Sequence, residues 1–166
     1  MTEENFDNPS HELLTGSRFH FEFGGPGGDD LLISKVSGIS ITIDAAAQGQ
    51  PLGCGKNVRT QTQITPAGVS YENLTIEHVT TMENNALLDW YQACHPKAST
   101  GGGTEAAESR YSASLVFYNQ AAEESIRWNI FNALPVKYTT TQLQAESTDL
   151  FKETVEIMHS GLVRVL

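Results

Sequence analysis

The 166-residue chain is short of cysteine, of cationic charge and of long apolar runs, and each shortage removes a class of function. Its two cysteines, Cys54 and Cys94, are far apart and have no partner motif. They make neither a disulfide framework nor a zinc site, and two unrelated free thiols are the reading. Ten Lys and Arg stand against 20 Asp and Glu, for a net charge of −10. A protein that grips phosphate backbones needs clustered cations, so nucleic acid is not expected as a main partner. No stretch approaches the roughly 20 apolar residues of a membrane span, and no insertion into a membrane by the chain itself is expected. The start, MTEENFDNPSHELL, lacks the positive and then apolar pattern of a signal peptide. Synthesis in a cytosol, with exit if any by another route, follows.

Catalytic signatures are missing as well. GCGKN at residues 53–57 suggests a phosphate loop, but Gln50 stands where the first glycine belongs and Asn57 where Ser or Thr belongs. A plain turn is the better reading. GGPGG fails the GxGxxG pattern because Asp30 takes the last glycine's place. His11, His20, His78, His95 and His159 show no metal-pair spacing, and His20 and His78 are expected to face solvent or bond within a sheet. Glu123-Glu124 and Asp29-Asp30 read as solvated turn tips, and no GxSxG elbow occurs. No enzyme, cofactor or metal is expected.

What the chain does have is period-two apolar patterning. Hydrophobic content of 39% with 18% charged residues is that of a globular protein. In SRFHFEF, Phe19, Phe21 and Phe23 share one face, as in a half-buried strand. GGPGGDD breaks the pattern, and LLISKVSGISITID resumes it with Leu31, Ile33, Ile39, Ile41 and Ile43 in phase. Gly38 there predicts a bulge or sharp bend. DAAAQGQPLGCGKN (44–57) reads as a turn-rich excursion. VRTQTQI and YENLTIEHV then read as a long projecting hairpin, since its outer half has too little apolar surface for a core. ENNALLDWYQACH places Ala86, Leu87, Trp90, Tyr91 and Cys94 on one stripe, a helix over about 84–95 that Asn84 or Asn85 can cap and Pro96 closes. RYSASLVFYN, RWNIFNALPVKY and ETVEIMHSGLVRVL are further strands. Trp128, Ile130, Leu134, Val136 and Tyr138 form an even-numbered face through Pro135, and Val155, Ile157, Val163 and Val165 a continuous odd one. The class that follows is mainly β: two antiparallel sheets in a sandwich or barrel with one flanking helix. Strand edges left open in such a fold must be guarded or paired with another chain.

WNIFNALPVKY followed by ETVEIMHSGLVRV resembles the C-terminal half of inner tube proteins of contractile phage tails and phage-tail-like injection systems. The residues carrying it are Trp128, Asn132, Ala133, Pro135, Val136 and Lys137, then Glu153, Glu156, Ile157, His159, Gly161 and Leu162. FHFEF leading into KVSGISITID resembles the first hairpin of that family, with Gly38 at the bend, and Trp90 sits where its single helix has a tryptophan. The resemblance covers residues 17–166 as one tube domain, leaving 1–16 as an N-terminal extension.

It implies a structural subunit without catalysis: a homohexameric ring that pairs sheet edges and stacks into a hollow tube inside a contractile sheath protein. Baseplate or spike proteins and a tail terminator would cap the tube, and effector cargo or DNA would pass through its lumen. It implies synthesis in a bacterial cytoplasm and assembly into a tail or injection particle. The hairpin around residues 44–66 is the piece implied to reach the next ring, with Gly49, Pro51, Gly53, Gly55, Lys56 and Val58 as its contact candidates. A net charge of −10 per copy suits a lumen along which acidic cargo slides. Two other readings stand beside this one. One is a type VI secretion tube protein, which the His-x-Gly-Leu ending disfavours. The other is a soluble β-sandwich binding module, for carbohydrate for example, using Tyr111, Tyr118 and Tyr138.

Overall fold

Phe19, Phe21 and Phe23 do form a strand, and the other period-two segments follow. The structure, a computed structural model, describes residues 13–28, 31–46, 51–54, 57–60, 65–95, 103 and 106–166. Its strands are β1 (Phe19–Phe23), β2 (Ile33–Ser37), β3 (Ile41–Ala46), β4 (Pro51–Cys54), β5 (Asn57–Thr60), β6 (Thr65–Tyr71) and β7 (Leu74–Val79). The helix α1 (Ala86–Cys94) follows, then β8 (Tyr111–Tyr118), β9 (Glu124–Thr140), β10 (Lys152–Met158) and β11 (Gly161–Arg164).

The 17-residue β9 organises the body by belonging to two sheets. Its first half lies between β8 and β11, and its second half pairs β10. One antiparallel sheet therefore runs β1-β8-β9-β11, and the other β2-β7-β10-β9. The expected class holds: mainly β, two antiparallel sheets, one helix. Among the described residues the strands do not close into a barrel within one copy. The core lies between the sheets and under the helix. Phe21, Leu115 and Ile130 enter it from one sheet, Leu74, Ile76, Val155 and Ile157 from the other, and Leu87, Trp90 and Cys94 from α1. Asn84 Oδ1 accepts from the Ala86 N–H at 2.9 Å, satisfying one of the donors that a helix start leaves open.

The sheet-to-sheet corner in β9 corrects the even-numbered face read from sequence. Asn132 has φ 51°, a left-handed conformation that Asn adopts more readily than most residues. Across this point four residues of β9 (Ala133 to Ile130) oppose three of β8 (Tyr111 to Ala113). The extra residue reverses which face points inward. Ile130 is buried before it, and Ala133 and Pro135 after it. A second slip follows, where Lys137 pairs Glu156 but Pro135 pairs Ile157. Pro135 thus sits beside a bulge on the outer strand of its sheet, where a missing N–H is tolerated.

Three further expectations change. LLISKVSGISITID is not one strand, because Gly38 divides β2 from β3 and Ile39, Ile41 and Ile43 lie outside the core. The described part of VRTQTQI, Val58 to Thr60 in β5, does not pair with LTIEHV. Instead β6 pairs β3, β5 pairs β4, and β7 is a central body strand between β2 and β10. The described residues of the excursion at 44–57 are strand: the end of β3, all of β4 and the first residue of β5. Finally, the C-terminal run breaks at His159 and Ser160 into β10 and β11, which lie in different sheets. Leu162 is buried there, while Val163 and Val165 are exposed.

Candidate assembly surface

Gly38 launches the feature that most distinguishes this molecule. Its φ is 92°, and a Cβ there would collide with the carbonyl oxygen of Asn73 and stand 3.2 Å from Leu74 Cα. Only glycine permits that turn next to that backbone. Beyond it, β3 and β6 form a two-stranded ribbon separate from both body sheets. The register sets Ile41 opposite Tyr71 and Ile43 opposite Val69, so these four side chains share one face. Toward the body Tyr71 is half-buried, whereas Ile41, Ile43 and Val69 are 46%, 60% and 55% exposed. Two-stranded ribbons are marginal alone in water, and this one presents its β-branched residues to solvent.

Among the described residues four sheet edges are also open. β1 and β11 bound one sheet, and β2 and the second half of β9 bound the other. The solvent faces of the sheets carry closed polar networks. On β1-β8-β9, Arg127 forms ion pairs with Glu22 at 2.6 Å and Glu124 at 2.5 Å, and Ser114 Oγ donates to Asn129 Oδ1 at 2.9 Å. On the other sheet, Lys152 Nζ and Ser34 Oγ donate to the Glu77 carboxylate, at 2.8 and 2.9 Å, and hold it below the usual carboxylate range. Polar groups paired in this way leave little unmet demand, whereas the ribbon sets three exposed β-branched side chains, Ile41, Ile43 and Val69, on one face.

The sequence candidates fall as follows. Of the proposed ring-contact residues, Pro51, Gly53 and Val58 lie on β4 and β5, beyond the ribbon, with Leu52 opposite Arg59 and Gly53 opposite Val58. Gly49, Gly55 and Lys56 lie outside the described residues, as does Pro96. The motif residues divide into two groups. Trp90 is buried against Phe23, with centroids 4.7 Å apart, and its Nε1 donates to the Ser109 carbonyl at 2.7 Å. Trp128, Asn132, Pro135 and Lys137 all lie on β9 around its corner. There Asn132 Nδ2 donates to Ser160 Oγ at 2.9 Å and Ser160 N–H to the Phe131 carbonyl at 3.0 Å. Gly161 starts β11 opposite Phe131, and His159 packs on Tyr71 at the foot of the ribbon.

Sequence reasoning placed His78 toward solvent or in a sheet contact. It does not face solvent: it is 3% exposed, on the core side of β7, and its contact is the one within the sheet, its Nε2 3.6 Å from the carboxylate of Glu153 opposite it on β10. Burial and its hydrogen bond to Glu153 push the Tyr138 phenol up. Tyr111 and Tyr138 pack against the core rather than offering a ligand platform, which removes two of the three aromatics a binding module would have used. Among the described residues no group of three or more His, Cys, Asp or Glu could hold a metal ion. Also among them, no helix is long and apolar enough to cross a membrane. Cys94 is buried, and burial pushes its thiol up. In the folded protein it will therefore resist iodoacetamide at neutral pH and react once denaturant is added, as peptide mass spectrometry will read.

The described geometry agrees with comparisons to known proteins. The family model described as T4-like virus tail tube protein gp19 matches residues 16–163. No curated protein sequence matches the chain. Among solved structures, it is similar to a chain of the PVC sheath/tube terminator, from an extracellular contractile injection system in the extended state. The TM-score is 0.71 at 19% identity, covering 95% of this chain and 99% of that one. Similarity to a chain of the anti-feeding prophage cap, the AFP tube terminating cap, also has TM-score 0.71 at 19% identity, over 99% of each. A more distant likeness, TM-score 0.51 at 11% identity over 88% and 89%, is to an Hcp protein. At these identities the structures share the fold.

Proposed function

The chain belongs to the family of the T4-like virus tail tube protein gp19, and from that premise we propose how this subunit builds its tube. Copies meet edge to edge as hexameric rings, and the rings stack through the β3–β6 ribbon and the β4–β5 strands beyond it. A ring closes by rotation, while ring-on-ring contact never closes and so grows a filament. The observation that carries the reading is the ribbon itself, an apolar face of Ile41, Ile43 and Val69 exposed together on two strands that belong to neither body sheet. Such a face marks an interaction site.

Residues 17–166 act in this reading as one tube domain, with 1–16 as an extension. The contact candidates remain Gly49, Pro51, Gly53, Gly55, Lys56 and Val58. A contractile sheath, a terminator and a baseplate are the expected partners, because similar folds come from a PVC sheath-tube complex, a tube terminating cap and an AFP baseplate. The finished object is an injection particle or phage-like tail that carries cargo or DNA in its lumen. The role is structural, without catalysis.

Ile43→Asp tests it. The change puts a carboxylate on the exposed ribbon face, away from the core, so the melting temperature of the isolated subunit will hold within a few degrees. Ring stacking, read by electron microscopy and sedimentation velocity, will be lost. A variant that stacks as the parent does would sink the ribbon contact.

A further inference from the structure

The foot of the ribbon contains a buried imidazole packed on the ribbon's own tyrosine. His159 occupies the two-residue link where the chain leaves β10 in one sheet and enters β11 in the other. Ser160, beside it, is tied to the corner of β9 through Phe131 and Asn132. The His159 ring lies against Tyr71, the last residue of β6, with centroids 5.4 Å apart and planes tilted by 51°. Tyr71 pairs Ile41 across the ribbon's first rung. One aromatic contact therefore joins the ribbon to the sheet-to-sheet corner. Both ring nitrogens of His159 are buried and neither makes a well-formed hydrogen bond, the Glu72 and Gly161 backbones being the polar groups nearest to acting on them.

The surroundings favour a neutral ring. Tyr71 approaches from β6, the Glu72 backbone from the β6–β7 link and the Gly161 backbone from β11. On its own strand the carboxylate closest in sequence, Glu156, accepts from Asn73 Nδ2 at 2.9 Å and stands opposite Lys137 on β9. Burial lowers the proton affinity of the ring, and the two neighbouring backbones only partly oppose it.

We propose that His159 is an acid-sensitive latch: neutral, it seats the ribbon foot, and on taking up a proton it frees Tyr71 and loosens the ribbon. An imidazolium placed there brings a charge into a buried site, and the cost of burying it outweighs the help of the Glu72 and Gly161 backbones. Above about pH 6.5, the ordinary histidine value, the ring is neutral whether the foot is seated or open. As pH falls through that value the open foot binds the proton first. The seated state then loses stability progressively until the pH passes the lower value of the buried ring. Because the ribbon is read as the contact between rings, which rests on the proposed function, tubes should fall apart in acid faster than subunits unfold.

The test uses the full chain, as free subunit and as assembled tube, moved from about pH 7.5 to about pH 5.5, either side of histidine titration. Amide hydrogen exchange at residues 69–73, corrected for the intrinsic pH dependence, should rise about tenfold or more in acid. His159→Phe keeps an aromatic ring against Tyr71 and cannot titrate, so its exchange should stay flat. If that variant does not fold, the ring titration of His159 followed by NMR in the parent gives the second reading, and it should coincide with the exchange change. Unchanged protection in acid, or the same acid response in His159→Phe, would overturn the latch. A foot that loosens while tubes persist would uphold the latch and overturn instead the placing of the ribbon between rings.

Discussion

Gly38→Ala is expected to lower the stability of the subunit by roughly 3–5 kcal/mol. Two independent costs add. The backbone at φ 92° lies in a region that L side chains rarely adopt, and strain of this kind costs on the order of 1–3 kcal/mol. The new Cβ also meets the Asn73 carbonyl oxygen, which is backbone at the start of a central strand and cannot swing aside. Overpacking of that sort costs about 1–3 kcal/mol more. For a chain of this size the melting temperature should fall by about 10 °C. The damage is also local in a useful way, because Gly38 fixes where the ribbon leaves the body. Protein that survives the substitution should assemble poorly even where it is folded. A melt within two or three degrees of the parent would show that the bend is not held as described.

Trp90→Ala should cost about as much, by another route. The indole is 4% exposed between Phe23 and Tyr111, and truncating a buried Trp costs about 3–5 kcal/mol through lost transfer and the cavity left behind. Its N–H also satisfies the Ser109 carbonyl in the segment that leads into β8. Trp90→Phe separates the two contributions. It keeps an aromatic ring and loses the hydrogen bond, so it should recover most of the stability and leave a deficit of about 1–3 kcal/mol. Denaturant unfolding at fixed pH reads both. Equal losses for the two substitutions would mean that the hydrogen bond, rather than the packing, holds α1 to the sheets.

Sequence periodicity made the strands of the body and the single helix legible, and physical causes explain where it stopped. Phe19, Phe21 and Phe23 read correctly because one face of β1 packs on the core, so burial follows the alternation. Ile39, Ile41 and Ile43 have the same alternation with no core behind them. A ribbon with no core behind it can have the pattern of a buried strand, since β-branched residues suit either setting. The face of β9 misread because one residue, Asn132, takes a left-handed turn and reverses the phase. Nothing in NIFNALP requires that turn except the geometry of two sheets sharing one strand. His78 was missed as a core residue because its partner Glu153 lies in a distant strand that pairs with it only after folding. Of the candidate residues, Gly38 carried a usable signal, a glycine inside an apolar run. The contact candidates near the ribbon's far end came from resemblance alone.

Electron microscopy of the purified chain, at high concentration and again with the sheath and baseplate proteins that would template it, tests the central claim most directly. The account predicts rings with a central hole and sixfold end views, stacking into tubes in at least the templated sample, and no tubes from Ile43→Asp under either condition. Compact monomers alone in both samples of the parent chain would contradict it.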